Sequence, residues 1–241
     1  MPTVPAPKQY RVQSFLDFIQ RVGADDLMSD LTLYRGQSKA SWRLEPSIAR
    51  GGVDFELRDK EQELLEEFKR LGRSKISPDI LDNDWDLLAF AQHHGLKTRL
   101  LDWTTNPLIA LWFAFWDNID DEDEDVSVWV LYLDKGSLAE TDTGSPLTQD
   151  LTLAFKPNHI TQRITAQNGW FTTHKYFDNT GRVTKLDNSG KYIKRLNKLL
   201  FSREQRDEIL LQLDRLGVNS SSVFPDLGGL TNYLNWKNRM I

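Results

Sequence analysis

The residues able to do chemistry gather in three stretches: Tyr34-Arg35-Gly36-Gln37; Gln92-His93-His94-Gly95 running on through Arg99 to Asp102-Trp103-Thr104; and Arg163 to Gly169 with Gln167 inside it. A guanidinium such as Arg35 makes charge-assisted, bidentate contacts with an anion such as a carboxylate or a phosphate. Asp102 supplies a carboxylate, and Thr104 and Gln167 can orient neighbouring groups through hydrogen bonds. Each residue has a second, structural reading. Arg35 is then an ion-pair partner of Asp102 or Glu45, and Asp102 bonds the N–H groups of a turn at a helix start. Gln92 and Gln167 then satisfy backbone, His94 is a packed or capping histidine, and Trp103 belongs to the core.

The sequence excludes several chemistries outright. The chain has no cysteine, so disulfides, thiolate metal sites and cysteine nucleophiles are absent. It carries no phosphate-binding Gly-Lys-Ser/Thr loop, no dinucleotide fingerprint and no nucleophile elbow. His93 and His94 adjoin on a helix and diverge by about 100 degrees, so they do not share one face as a metal-binding pair would. No metal is expected. The acidic run Asp120 to Asp125 lacks the spaced carboxylates of a calcium loop and reads as a solvated connection.

The central stretch, Ala89 to Trp116, contains the elements that must hold these groups. Gly95 is suited to end the incoming helix, which runs from Trp85 to His94, because it takes the left-handed conformation without a Cβ penalty. A strand then carries Leu96 to Trp103, the polar residues Thr104 to Asn106 turn the chain, and Pro107 opens a helix that is apolar almost all round. Polar groups on such a strand, turn and buried helix are held by rigid elements.

Around this unit, Ser14 reads as the N-cap of a helix ended by Gly23, and Leu31 to Tyr34 as a strand with Arg35-Gly36 at its end. Residues 41 to 50 read as irregular. Asp54 to Leu71 reads as an amphipathic surface helix, with Phe55, Leu57, Leu64, Leu65, Phe68 and Leu71 on one face and the acidic and basic residues on the other, facing water. Val126 to Leu133, apolar on both faces in its second half, reads as a central strand. Thr161 to Thr173 reads as a bent or bulged strand with Gln167 near the bend, and Arg182–Leu186 with Tyr192–Leu196 as a hairpin. Ser202 and Gln205 form a capping box for a helix ending before Gly217, and a last helix covers Thr231 to Trp236.

The 241 residues, 39% of them hydrophobic, suffice for one domain with a sizeable core. Helices precede strands without strict alternation, which predicts an α+β class rather than a doubly wound sheet. Residues 1–12, rich in proline, read as a flexible lead-in, and 13–241 as a single domain with a C-terminal helical extension. A net charge of −5 provides no global field for nucleic acid. The N-terminal residues lack the pattern of a secretion signal and no run matches a membrane span, so a soluble cytoplasmic protein without membrane contact is expected.

Tyr34-Arg35-Gly36-Gln37, Trp42-Arg43-Leu44-Glu45-Pro46-Ser47, the run from Gln92 to Thr104, and Arg163 with Gln167 and Gly169 resemble the FRG domain, a family named for its aromatic-Arg-Gly motif. The resemblance runs from about Ser14 to Leu230. Tyr34-Arg35-Gly36, and Asp102 to Pro107 followed by Ala110 and Phe113, are also similar, more distantly, to ADP-ribosyltransferases of the Arg-Ser-Glu type. Gln167 falls where that family's glutamate is expected, and Asp102 where its serine is.

This second resemblance implies an ADP-ribosyltransferase-like split sheet, mixed or antiparallel, and an NAD-type nucleotide as substrate. Arg35, Asp102, Thr104 and Gln167 would be the catalytic set, with Tyr34, Arg35, Gly36, Gln37, Gln92, His94, Arg99 and Trp103 holding the nucleotide. The chemistry would be glycosyl transfer to a protein or nucleic-acid acceptor, or NAD hydrolysis, and the family resemblance suggests bacterial stress or phage defence. The alternative is a non-catalytic module that uses the same cleft to recognise a nucleotide, a modified nucleic-acid end or a protein partner. The oligomeric state is open.

Overall fold

The alternation of Val126, Val128 and Val130 against Trp129, Leu131 and Leu133 buries both faces of one strand and sets the middle of the molecule. The computed structural model describes residues 6–24, 29–51, 56–116, 124–142, 144–158, 161–177 and 182–240. In chain order the first half comprises β1 (Lys8–Arg11), α1 (Phe15–Gly23), β2 (Leu31–Gln37), α2 (Leu57–Gly72), α3 (Pro78–Leu81), α4 (Asp84–His93), β3 (Leu100–Thr104) and α5 (Pro107–Trp116). The second half comprises β4 (Val126–Leu133), β5 (Leu153–Phe155), α6 (Gln162–Ala166), β6 (Gly169–Thr173), β7 (Tyr176–Phe177), β8 (Arg182–Val183), β9 (Leu196–Phe201), α7 (Arg206–Arg215), α8 (Ser220–Val223) and α9 (Leu227–Lys237). Short 3-10 turns join several of them.

Seven strands form one mixed sheet in the order β1-β9-β4-β2-β3-β6-β5, and β7 pairs with β8 in a separate ribbon. The fold is α+β. Within the large sheet β1 runs parallel to β9 and every other pair is antiparallel. On one face, α5, α1 and α7 cover the valines of β4 together with Tyr34, Leu199 and Phe201. On the other, Leu33, Leu101, Trp103, Trp129 and Leu131 pack against Leu44, Leu186 and Tyr192 from the connecting segments. A third cluster joins α2, α3 and α4 to Leu100, Phe155 and Phe171 on the β3-β6-β5 side.

The sheet is divided in its middle. β2 pairs with β4 along its whole length, from Leu31↔Leu133 to Gln37↔Ser127, but meets β3 at the single position Tyr34↔Thr104. Beyond it the strands part, and the site described below occupies the gap. α5 backs this division closely: a Cβ at Gly36 would lie 2.0 Å from the Ala110 carbonyl oxygen and 2.6 Å from the Ala114 nitrogen. Only glycine permits that approach of strand and helix backbones.

The local signals of the central unit hold. Gly95 takes φ +92°, Pro107 opens α5, and Asn106 Oδ1 accepts from the Leu108 N–H at 3.0 Å. Ser14 caps α1, and Ser202 and Gln205 form the capping box before α7.

Four expectations are corrected. The lead-in read over residues 1–12 contains β1, an edge strand whose mostly exposed residues leave no alternation to read and which pairing with β9 holds in place. Arg35 and Gly36 lie inside β2, not at its end, because β4 offers partners as far as Gln37. The bent strand over 161–173 is a helix followed by a strand: Thr161 Oγ1 caps α6 by accepting from the Ile164 N–H at 3.1 Å, and Asn168 at φ +48° ends it. The hairpin over 182–196 does not form, since Arg182–Val183 pairs with Tyr176–Phe177 and Leu196 begins β9. Of the acidic run, Glu124 and Asp125 are tied to Ser41 and Arg11, and the rest lies outside the described residues. Among the described residues no helix is long and apolar enough to cross a membrane.

Candidate functional site

A cleft of about 390 Å³ opens where β2 and β3 separate. Its floor and one wall come from Tyr34, Arg35 and Gly36 of β2 and from Asp102, Trp103 and Thr104 of β3; the opposite wall comes from Arg163, Gln167 and Phe224. Continuation of the Tyr34↔Thr104 register would set Gly36 opposite Asp102. Instead Arg35 Nη1 donates to the Asp102 carbonyl oxygen at 2.7 Å and to its Oδ2 at 3.0 Å. One guanidinium thus re-ties the strands that the backbone leaves apart.

Asp102 is held from the other side as well. Its Oδ1 accepts from Gln92 Nε2 on α4, and Gln92 Oε1 accepts from the Thr98 hydroxyl. Thr98 Oγ1 in turn accepts from the Leu100 N–H at 3.1 Å. This chain of hydrogen bonds fixes the carboxylate's orientation while its side chain stays 61% exposed, so lone pairs remain for a ligand. Arg35 is by contrast only 15% exposed, and its Nε is buried without an acceptor among the described residues.

Other expected site residues are occupied structurally. Gln37 Oε1 accepts from Trp129 Nε1 at 2.7 Å and its Nε2 donates to the Arg43 carbonyl at 3.3 Å, which ties both ends of the amide to the fold. The Thr104 hydroxyl donates to the Gln167 carbonyl at 2.6 Å and accepts from the Asn106 N–H at 3.0 Å. It staples the β3–α5 turn to the end of α6. Gln167 Nε2 donates to the Val223 carbonyl at 3.2 Å, so Gln167 joins α6 to α8 at the cleft's edge. Trp103 is 3% exposed with its Nε1 donating to Thr172 Oγ1 at 3.0 Å, leaving only its margin in the cleft.

Two expected ligands of a nucleotide stand elsewhere. Arg99 is wholly buried: its Nε donates to Glu61 Oε2 at 2.6 Å, Glu61 Oε1 accepts from the Arg99 backbone N–H at 2.6 Å, and the guanidinium lies 4.1 Å from the Tyr176 ring centre. It joins α2 to the sheet. His94 caps α4 and packs at a tilt of 57° against Phe90 with ring centres 4.5 Å apart, while His93 is the histidine that lines the cleft. Burial, His94 and Arg163 lower the His93 pKa against the opposing pull of Asp102.

The sequence reading passes over Arg50, Arg163, Trp42 and Phe224 as cleft residues. Arg163 pairs with Asp226 through Nε at 2.9 Å and lies 4.9 Å from the Phe224 ring centre. Gly229 and Arg163 hold the Asp226 carboxyl below its ordinary range. Trp42 and Arg163 stand in the motifs that resemble the FRG domain, which was the signal available for them. Phe224 had none, because the fold alone returns the C-terminal segment to the cleft. Among the described residues no cluster of three or more histidine, aspartate or glutamate side chains could hold a metal ion.

The cleft can therefore place anions on cationic side chains, stack a planar group against aromatic rings, and present one oriented carboxylate. No curated protein and no solved structure matches the chain. Residues 30–123 match the family model of the FRG domain, a span that includes Arg35, Arg50, Gln92 and Asp102 but not Arg163, Gln167 or Phe224. The chain thus carries an FRG domain, and its cleft is completed by residues that follow the matched span.

Proposed function

We propose that the cleft binds a nucleotide of the NAD type and that the domain breaks its glycosidic bond, by transfer or by hydrolysis. The observation that carries this reading is Arg35: its position is fixed by Asp102, and its buried Nε has no acceptor among the described residues. A buried, unsatisfied guanidinium N–H costs free energy that an incoming phosphate or ribose oxygen would recover. The sheet division at Tyr34↔Thr104 is consistent with the ADP-ribosyltransferase-like split implied by the Arg35-Gly36 and Asp102-to-Pro107 motifs.

In such a reaction the bond between ribose carbon and nicotinamide nitrogen breaks, and its electron pair leaves with the ring. Water or an acceptor nucleophile then adds to the oxocarbenium-like carbon and gives up one proton. Asp102 is the carboxylate in the cleft lining, and an ionised group there stabilises the developing cation. A place in bacterial stress or phage defence follows from the family resemblance alone.

A second reading has its own support. The Thr104 hydroxyl spends its one proton on the Gln167 carbonyl and also accepts from the Asn106 N–H, and Gln167 brings an amide where a glutamate would act, which favours a module that binds a nucleotide without turning it over. Calorimetric titration with NAD and ADP-ribose tests the shared premise. Heat of binding from neither would refute both readings, and binding accompanied by nicotinamide release selects catalysis.

A further inference from the structure

Adding water or a hydroxyl to a ribose carbon releases a proton, and few side chains of the cleft can take one. Arg35, Arg50 and Arg163 line it as permanent cations, and its amides, hydroxyls and aromatic rings are not bases near neutral pH. Asp102 has one oxygen engaged by Arg35 and the other by Gln92, an arrangement that suits a standing negative charge rather than a proton carrier. His93 is the remaining acceptor among the described lining residues.

Its placement follows from the fold. Asn83 caps the start of α4, and Gln92, the residue before His93, moors its end by donating to Asp102 Oδ1. The half-buried imidazole thereby joins Asp102 in the cleft lining, with its ring edge-on to His94 at 5.2 Å between centres. Among the described residues neither ring nitrogen has a hydrogen-bond partner, so both are free for a ligand or a water. The ring also stands in the last turn of α4, where the partial negative charge of the helix C-terminus favours the imidazolium that proton transfer creates.

We infer that His93 is the general base of the cleft, taking the proton from the water or acceptor hydroxyl that attacks the ribose carbon. The inference rests on the catalytic reading of this cleft and adds a residue to it. In the step, a lone pair of the attacking oxygen forms the new C–O bond, and the C–N bond breaks with its electron pair passing to the nicotinamide nitrogen. The O–H proton moves to an imidazole nitrogen, which later returns it to solvent. Asp102 and His93 then hold separate duties, the one stabilising charge and the other moving a proton.

The electrostatics of the cleft agree. Burial, then His94 and Arg163, lower the His93 pKa from 6.5 while Asp102 opposes them, and Arg35 and Arg50 are further cations of the same lining. At neutral pH the ring is therefore the free base that the step requires, and turnover should fall as pH falls through a value below 6.5.

The test is nicotinamide release from NAD by the whole chain, as wild type, His93→Gln and His93→Ala, between pH 5 and pH 8, with ADP-ribose affinity measured by calorimetry. His93→Gln should lower kcat on the order of a hundredfold or more, abolish the acid limb of the wild-type profile and leave ADP-ribose affinity little changed. Added imidazole should restore part of the rate of His93→Ala and nothing to wild type. Because His93 makes no hydrogen bond in the fold, both variants should melt close to wild type, which a thermal scan verifies.

Release by His93→Gln equal to wild type, or a wild-type rate without an acid limb, overturns the base and leaves the nucleotide reading standing. A variant that loses ADP-ribose affinity as much as it loses rate makes His93 a ligand contact instead. Wild type that binds ADP-ribose and releases no nicotinamide overturns the base together with catalysis and leaves the binding module. Binding of neither ADP-ribose nor NAD overturns the nucleotide reading itself.

Discussion

Arg35 Nη1 bridges the carbonyl and the carboxylate of Asp102, at 2.7 and 3.0 Å, at the point where β2 and β3 cease to pair. The contact is at once structural and functional in form. It replaces ladder hydrogen bonds across the split and leaves the buried Nε of the guanidinium without an acceptor among the described residues. The ion-pair reading and the ligand reading of Arg35 are therefore compatible, because the pair uses only one of its nitrogens.

Gly36→Ala should be severely destabilising. The added methyl would meet the Ala110 carbonyl and the Ala114 nitrogen, both backbone atoms of a buried helix, so relief requires moving α5 away from β2. Overpacking of this kind costs about 1–3 kcal/mol and more where only backbone can yield. Urea denaturation measures it; a loss below about 1 kcal/mol would mean that α5 shifts freely.

Arg99 and Glu61 form a wholly buried pair, so removing one partner strands the other's charge. Arg99→Met should cost about 3–5 kcal/mol, whereas the double variant Arg99→Met/Glu61→Leu should recover much of that loss. The double-mutant cycle in chemical denaturation decides. Equal losses for single and double variants would show that packing, not the stranded carboxylate, sets the cost.

His174 carries a pH dependence whose sign follows from its hydrogen bonds. Thr172 Oγ1 accepts from Trp103 Nε1 and so donates to His174 Nε2, while His174 Nδ1 donates to the Thr184 carbonyl at 2.8 Å. The ring is neutral with its proton on Nδ1. Burial lowers its pKa to about 4, against the raising effect of the Thr184 bond and with help from Arg35 and Arg99. Between that value and the unfolded value near 6.5 the unfolded chain binds more protons, so stability falls as pH falls through this window, by at most about 1.4 kcal/mol per pH unit. Denaturation at several pH values, for wild type and His174→Gln, isolates the contribution. A wild-type-minus-variant difference that stays constant across the window would assign the titration to another group.

What the sequence made legible was local. Ser14, Gly95, Asn106-Pro107 and Ser202 with Gln205 act on backbone within a turn of themselves, so their chemistry can be read without the fold. Arg35-Gly36 and Asp102 to Thr104 stood out through the family resemblance, but the strand before Arg35 was ended too early, at Tyr34, because the β4 partners that extend it to Gln37 are distant in sequence. Arg99 was misplaced because its partner Glu61 is distant in sequence, on a helix face that otherwise looks solvated. The wall of Arg163 and Phe224 was missed because the pairing of β6 with β3 and the docking of α8 on α6, both long-range, bring it to the cleft.

Asp102→Asn separates catalysis from binding. Its side chain is 61% exposed and Arg35 keeps the Asp102 carbonyl as an acceptor, so the fold should lose no more than the ~1 kcal/mol of an exposed ion pair. The charge, however, is gone, and an amide cannot accept from both Gln92 and Arg35 as the two carboxylate oxygens do. If Asp102 stabilises an oxocarbenium-like transition state, removing that charge is worth about 2.7–4 kcal/mol, and nicotinamide release from NAD should fall on the order of a hundredfold or more. Affinity for ADP-ribose should change far less, since Arg35 remains in place to meet it. Equal release by wild type and variant would remove Asp102 from the reaction. Release undetectable in both, with ADP-ribose still bound, would establish the cleft as a binding module whose Arg35 reads a nucleotide that Asp102 never touches chemically.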